Sequence, residues 1–552
     1  MKAFTEPLLS LAGFEEMTKT AEKSSGLISV TGCIDAQKSQ MIYAFGGHRK
    51  NKLIVTFGEQ KAKELYDEYS FFDKEVVYYP SKDVLFYQSD IRGNLLTAER
   101  IRALKAIREQ ERVTLVTTFD ALMNTMAPIE KMWENVLTLE QGQLLDLKEI
   151  QAALIRMGYE KEYQVQTMGQ FSVRGGILDV FPLTEENPIR IELWGDEIDT
   201  IRYFDCESQK SIENTDRVSI YPAAELVLSD EEKAGGIEKL KAEAKRVSDK
   251  LRKQMKTEEA HRVTVMADEL TEEWGELSMY AGMDAFLSYF FDERVGLLDY
   301  FKPSDSLIFF DELTRCTEQG KLTETEFSES MKQRLAMGYI LPGQMNGLFT
   351  EKEIVAKLEK YSCIALAALD NKANGLHQLG SYGIHCQSVS PYNNSFELLI
   401  KDLKRYKKNG YRVILLSGSR TRAKRLSEDI TDQGITCFYT ENYDHELFEG
   451  QIMVCYGKVR RGFEYPILKF AVITESDIFG AQQKKKKRHR TYEGEKIQSF
   501  TDLSVGDYVV HENHGLGIYR GIEKLEVDKK VKDYIKIEYQ GGSNLYILAT
   551  QL

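Results

Sequence analysis

Apolar residues change their spacing several times along this chain, and each change predicts a different kind of layer. Near the N-terminus, short continuous runs alternate with helical stretches: Leu27-Ile28-Ser29-Val30, Leu53-Ile54-Val55-Thr56-Phe57, Val76-Val77-Tyr78-Tyr79 and Val113-Thr114-Leu115-Val116-Thr117. The clearest helix is Thr97 to Gln110, with Ile101, Leu104 and Ile107 on one face. Apolar runs separated by helices predict strands of a parallel α/β sheet, buried on both faces. After about Pro128 the period becomes two. Phe171 to Pro182 reads as a hairpin bent at Gly175-Gly176, and Pro188 to Leu193 and Ile198 to Phe204 alternate. A small, mostly antiparallel α+β unit is predicted here, inserted between two halves of the α/β domain. The second half carries a charged helix from about Glu231 to Arg252 and the apolar strand Ser306-Leu307-Ile308-Phe309-Phe310.

A further α/β unit is predicted over 371–480. Its helix Phe396 to Lys408 is stopped by Gly410, followed by a strand Tyr411 to Leu416 and a helix Thr421 to Gln433. The last stretch is all β: Asp507 to His511, His514 to Val527 with glycines at its start, Tyr534 to Tyr539, and Leu545 to Leu548 after Gly541-Gly542. A small barrel is the natural closure, because it limits exposed edges. The divisions are 1–127, 128–225, 226–370, 371–480, a linker 481–495, and 496–552. The fold class is multidomain α/β with a terminal β module.

Composition narrows the function. A chain of 552 residues holds roughly three to five domains. Net charge of −13 argues against a surface built mainly for nucleic-acid phosphate. The seven cysteines are scattered with no Cys-x-x-Cys pair, which fits reduced thiols of a cytoplasmic protein better than disulfides or zinc. No segment approaches the roughly 18 apolar residues of a membrane helix. No signal peptide is read at the N-terminus, and no membrane partner is expected.

The chemistry centres on a phosphate loop that is nearly complete. Gly32-Cys33-Ile34-Asp35-Ala36-Gln37-Lys38-Ser39 has the frame of a P-loop, with Gln37 where a second glycine belongs. A P-loop wraps backbone N–H groups around phosphate and feeds a helix N-terminus, and that glycine permits the close approach. Lys38 remains placed to reach phosphate and Ser39 to hold magnesium. Asp311-Glu312, at the end of an apolar strand, supplies paired acids for magnesium and water. A chance Lys-Ser in an ordinary strand–loop–helix turn is the competing reading. Three other features carry less. The Ser417-Gly418-Ser419-Arg420 turn suits an anion, but serine capping of the next helix explains it better. Lys484-Lys485-Lys486-Lys487-Arg488-His489-Arg490 reads as a solvated linker, with contact to nucleic acid or an acidic partner as the alternative. His511 and His514 have no third ligand near in sequence and read as structural.

Three segments carry a family resemblance: Gly169 to Pro182, Ile189 to Asp199, and Val505 to Tyr519. In this order, across essentially the whole chain, they resemble the N-terminal half of the bacterial transcription-repair coupling factors. The first two are similar to the module shared with the excision-repair protein UvrB, and the third to CarD-type regulators. The resemblance implies a degenerate RecA-like domain, split by the insertion, that does not hydrolyse ATP, with Gly32, Gln37, Lys38, Ser39, Asp311 and Glu312 as its vestigial site. It implies no cofactor here, while ATP and magnesium serve motor domains beyond Leu552, which also carry the main contact with double-stranded DNA. The stretch Tyr78 to Arg102 is shorter than the DNA-clasping hairpin of UvrB, so damage clasping is not expected. UvrA is the implied partner of Arg174, Arg190 and Trp194. The β subunit of RNA polymerase is the implied partner of the Tudor/CarD-like barrel, through strand pairing around Tyr519, Arg520, Ile522 and Leu525. A core role remains open for Leu525 and Trp194, and a turn-capping role for Arg174. The resemblance also implies a parent translocase that displaces stalled polymerase, and a UvrA-facing surface masked by a distant domain. The rival reading is a UvrB-like or helicase-like ATPase with a tolerant P-loop, whose second lobe would supply Arg420 and Arg422.

Overall fold

The computed structural model describes residues 1–45, 49–82, 93–206, 208–276, 283–369, 375–480, 506–511, 515–527, 530–538 and 544–548. The chain divides into two compact units, Met1–Gly480 and Ala481–Leu552.

The first unit is built on a seven-stranded, all-parallel sheet. Its order is Gln378–Gly383, Gly26–Thr31, Ser362–Leu366, Ser306–Asp311, Asn51–Thr56, Val113–Thr118 and Val77–Tyr79. The two halves of the α/β domain therefore make one sheet, and the apolar runs are central because both faces are covered. Side chains alternate between two cores: Ile28, Val30, Ile54 and Phe309 on one side, and Leu27, Leu53, Val55 and Phe310 on the other. The sheet reaches past residue 370, where the sequence analysis ends this domain. Gln378–Gly383 joins it as an edge strand, parallel to Gly26–Thr31. Its residues are exposed or half-buried, so no apolar run announces it.

The inserted module hangs on a two-stranded stem, Leu137–Glu140 antiparallel to Arg217–Ile220. The stem starts later than the expected boundary at 128. Ile129–Glu134 is a helix whose Met132 packs in the first lobe's core. Above the stem lies a six-stranded sheet, ordered Ser211–Thr215, Glu197–Phe204, Ile189–Trp194, Ile177–Val180, Gln170–Arg174 and Glu160–Lys161. The hairpin at Gly175-Gly176 forms as expected, pairing Arg174 with Ile177 and Phe171 with Val180. Period-two alternation turns Phe171, Leu178, Val180, Ile189, Ile191 and Ile201 toward the helix Leu147–Arg156. Asp146 caps that helix by accepting the Lys148 and Glu149 N–H groups.

A second α/β lobe follows with six strands around Arg412–Ser417, flanked in parallel by Ile452–Tyr456 and Phe470–Thr474. The helix Phe396–Lys408 ends at left-handed Gly410, with φ of 75°. One side of this lobe's sheet, with Ile414, Leu416, Met453, Phe463 and Phe470, runs into the same core as Ile28 and Phe309. The lobes thus share apolar interior.

The second unit is an antiparallel meander of Tyr508–His511, Gly515–Val527, Lys530–Glu538 and Asn544–Leu548, paired in chain order. The expected barrel shows up as this four-stranded sheet, with no pairing between its first and last strands among the described residues. The basic run 484–490, His514 and the His511 side chain lie outside the described residues, as do residues 83–92 of the stretch compared with the UvrB hairpin.

Candidate functional site

The broken phosphate loop folds into a closed ionic site. The helix that the loop feeds begins at Asp35, inside the P-loop frame, and runs to Phe45. Residues 35–37, which a P-loop would hold open around an anion, are its first turn. Asp35 sits at that N-terminus, so the chain supplies its own carboxylate to the positive end of the helix dipole. Gly32 keeps a left-handed φ of 77°, and a Cβ there would lie 2.1 Å from the Ile384 carbonyl oxygen. This glycine is needed for packing against backbone of the segment leading to the second lobe.

Lys38 is fully buried, and its ammonium donates to Asp311 Oδ1 at 2.5 Å, Glu312 Oε1 at 2.8 Å and Asp35 Oδ1 at 3.3 Å. Burial alone would lower the lysine's pKa, but Asp311 and Glu312 outweigh it and push the value up. Asp311 is also buried and accepts from Thr56 Oγ1 at 3.0 Å. Glu312 takes a left-handed backbone, φ 59°, unusual for a residue with a side chain. It caps the start of Leu313–Ala336, and its Oε1 also accepts the Ala368 N–H at 3.1 Å. The sequence brings Lys38, Asp311 and Glu312 together as expected. Their arrangement, however, does not fit magnesium nucleotide. The phosphate-gripping ammonium is spent on the acids that would hold the metal, and Gln37 and Ser39 are buried beside it.

The second lobe repeats the theme. The Ser417-Gly418-Ser419 turn holds the carboxylate of Glu475, whose Oε2 accepts from Ser417 Oγ at 3.0 Å and Gly418 N–H at 2.7 Å. Arg422 pairs with the same carboxylate, and Arg420 with Glu441 at 3.3 Å. Ser419 caps the following helix by accepting the Arg422 N–H. The two arginines that a motor would aim at phosphate are paired within their own lobe.

The inserted sheet presents the opposite arrangement. Its solvent face carries a charged row centred on buried Asp179. Arg190 grips that carboxylate with two bonds, at 2.7 and 2.9 Å, and Arg174 adds one at 2.8 Å. Arg190 is largely covered, stacks over Phe204 at 4.3 Å and donates to Gln209. Arg174 is more open, and Trp194, at the tip of the next hairpin, is 84% exposed. Asp179 is not among the site residues expected from the sequence. Its signal was an acid between Leu178 and Val180 in an alternating strand, opposite Arg190 in register.

The module is anchored to the first lobe by another buried charge. Glu225 receives Arg100 Nε at 2.8 Å and Lys82 at 3.1 Å. Burial would raise its pKa, but the two cations hold it near 2. In the C-terminal unit, Tyr519 is buried and Arg520 exposed. A bulge follows at Gly521, φ 102°. Ile522 and Leu525 lie on the same strand, and their side chains are outside the described residues.

Among the described residues no helix is long and apolar enough to cross a membrane.

Comparison with known proteins matches these modules. Residues 137–226, from the stem strand onward, match the UvrB interaction domain, and residues 503–552 match the CarD-like/TRCF RID domain. A transcription-repair-coupling factor of Bacillus subtilis is 30% identical over 502 residues, covering 90% of this chain and 42% of that protein. One from Staphylococcus haemolyticus is 29% identical over 537 residues, covering 95% of this chain and 44% of its own length. One from Staphylococcus aureus is 28% identical over 554 residues, with 98% and 46% covered. This chain spans a little under half the length of the curated relatives it matches. The chain is thus similar to the transcription-repair-coupling factors along nearly all of its length, and carries a match to the UvrB interaction domain followed by one to the CarD-like/TRCF RID domain.

Proposed function

We propose that this chain is the non-catalytic coupling part of a transcription-coupled repair factor. The inserted sheet recruits UvrA, and the C-terminal meander docks on the β subunit of RNA polymerase. The observation that carries this reading is the bare Trp194 at the end of the strand that also carries Arg190 of the Arg174–Asp179–Arg190 row, on a module that matches the UvrB interaction domain. A large aromatic in solvent on the same sheet as a held arginine has the composition of a binding hot spot. Arg174 and Trp194 make the contact. Arg190 positions Asp179 and keeps the hairpin in register.

On the polymerase side, the docking segment is the stretch of strand that carries Tyr519, Arg520, Ile522 and Leu525, with Arg520 exposed and Tyr519 buried beneath it. Edge pairing there gives affinity through backbone hydrogen bonds. ATP and magnesium belong to motor domains of a longer parent chain, an ATP-dependent translocase acting on double-stranded DNA. The closed Lys38 site supports assigning no turnover to this part. The test is binding of the purified chain to UvrA, with UvrB as positive control. Binding that is lost with Trp194→Ala is expected. A chain that leaves UvrA untouched while UvrB binds overturns the reading.

A further inference from the structure

Gln37 occupies the position that disqualifies the phosphate loop, and its side chain is fully buried. It does not point into empty space. Tyr465, on the strand Phe463–Tyr465 of the second lobe, donates its hydroxyl to Gln37 Oε1 at 3.1 Å and lies 3.4 Å from Gln40 Oε1. Tyr465 and Gln40 are also fully buried. Gln40 Nε2 in turn donates to the Phe4 carbonyl at 2.5 Å, tying the N-terminal helix into the same joint. Around this polar chain the seam is tight. Phe71 of the first lobe packs on Gly457, where a Cβ would lie 2.8 Å from its ring. Arg460 pairs with Glu64, and the Ala3 N–H donates to the Tyr443 carbonyl at 3.0 Å.

We propose that Gln37 is an interlobe latch. The side chain that closed the phosphate loop took over the task of fixing the second lobe, through Tyr465, against the helix that follows the loop. Burying a tyrosine hydroxyl and two amide oxygens without partners is costly, so this contact forms in one relative placement of the lobes only. A seam that in a motor opens and closes on nucleotide is here a permanent joint. The two lobes act as one rigid arm, with the inserted module carried on its first lobe.

Tyr465→Phe removes a single oxygen and preserves packing, and Gln37→Met removes the acceptor at similar volume. Hydrogen exchange of the whole chain is followed by mass spectrometry in peptides covering 35–45 and 462–472. Each variant is expected to speed exchange in both peptides about five- to tenfold, the worth of one buried hydrogen bond. The double variant is expected to be no faster than the faster single one. Acceleration confined to the peptide that carries the substitution, or rates that multiply in the double variant, overturns the latch. A second arm uses Gln37→Gly titrated with a fluorescent ATP analogue and magnesium. No binding is expected, together with faster exchange at 462–472. Micromolar magnesium-dependent binding would make Gln37 a simple block of an otherwise sound pocket and would overturn the proposal.

Discussion

The Lys38 site and the Trp194 face sit in one unit and treat their charges in opposite ways. At Lys38, the ammonium and the Asp311 carboxylate are buried, and every charged group of the cluster finds its partner within the chain. On the inserted sheet only Asp179 is buried. Of its two arginines, Arg190 is largely covered and Arg174 is partly open, and Trp194 of the same sheet is in solvent. Polar groups satisfied internally contribute to cohesion and are withdrawn from ligands. Groups held by one internal bond at the surface stay organised and available. On the function proposed above, a site that resembles an enzyme's serves cohesion, and a sheet with no catalytic signature serves recognition.

That contrast breaks most easily at Lys38. In a working P-loop the lysine serves the ligand, and its removal leaves the fold intact. Here Lys38→Met leaves Asp311 and Glu312 without their shared cation, and a loss of about 3–5 kcal/mol in stability is expected. Chemical denaturation monitored at the first lobe measures it, and UvrA binding at low temperature should be unchanged. An unaltered midpoint would return Lys38 to the role of a ligand group.

The next largest effect lies at Glu68, a buried acid on the first-lobe side of the interlobe seam. Burial raises its pKa to about 7, against 4.5 for the free side chain. The folded chain therefore prefers the neutral form, and stability drains away as pH climbs from 4.5 toward 7. Glu68→Gln should stabilise by up to about 3 kcal/mol at pH 8 and by almost nothing at pH 4. Melting curves of both chains at the two pH values are the measurement, and a gain independent of pH would remove the titration from the account.

The Trp194 face is tested by affinity rather than stability. Trp194→Ala is expected to weaken UvrA binding by about 2 kcal/mol, some thirtyfold, with no shift in melting temperature. Arg174→Ala should follow at about 1 kcal/mol, since that guanidinium is also engaged with Asp179. Calorimetric titration ranks the two. A falling melting temperature for the tryptophan variant would mean that the ring is core after all.

Much of this molecule was legible in its sequence, for identifiable reasons. The parallel sheet announced itself through Leu53–Phe57 and Val113–Thr117, because strands covered on both faces are built mainly from apolar and β-branched residues. The hairpin at Gly175-Gly176 was legible from its alternation and its turn residues. The stretch Gln378–Gly383 was not, because an edge strand needs no apolar run. The meeting of Lys38 with Asp311 and Glu312 was expected from motif order. What they would do to one another was not, since a motif states who is present and not whether the charges cancel. Gln37 read as damage because its partner lies 428 residues away. Glu475 in the Ser417–Ser419 turn was hidden for a related reason: it comes from a segment 58 residues further on and meets the turn only when that lobe is folded.

The stem of the inserted module has one more implication. Its chain enters and departs on adjacent antiparallel strands, Leu137 facing Ile220, so the two severed ends would stand about 5 Å apart, the width of one strand pairing. Such a gap can be closed by a two-residue turn. The module is in effect a cassette on a socket, and lineages could exchange or discard it by a single insertion or deletion while the arm beneath keeps its shape.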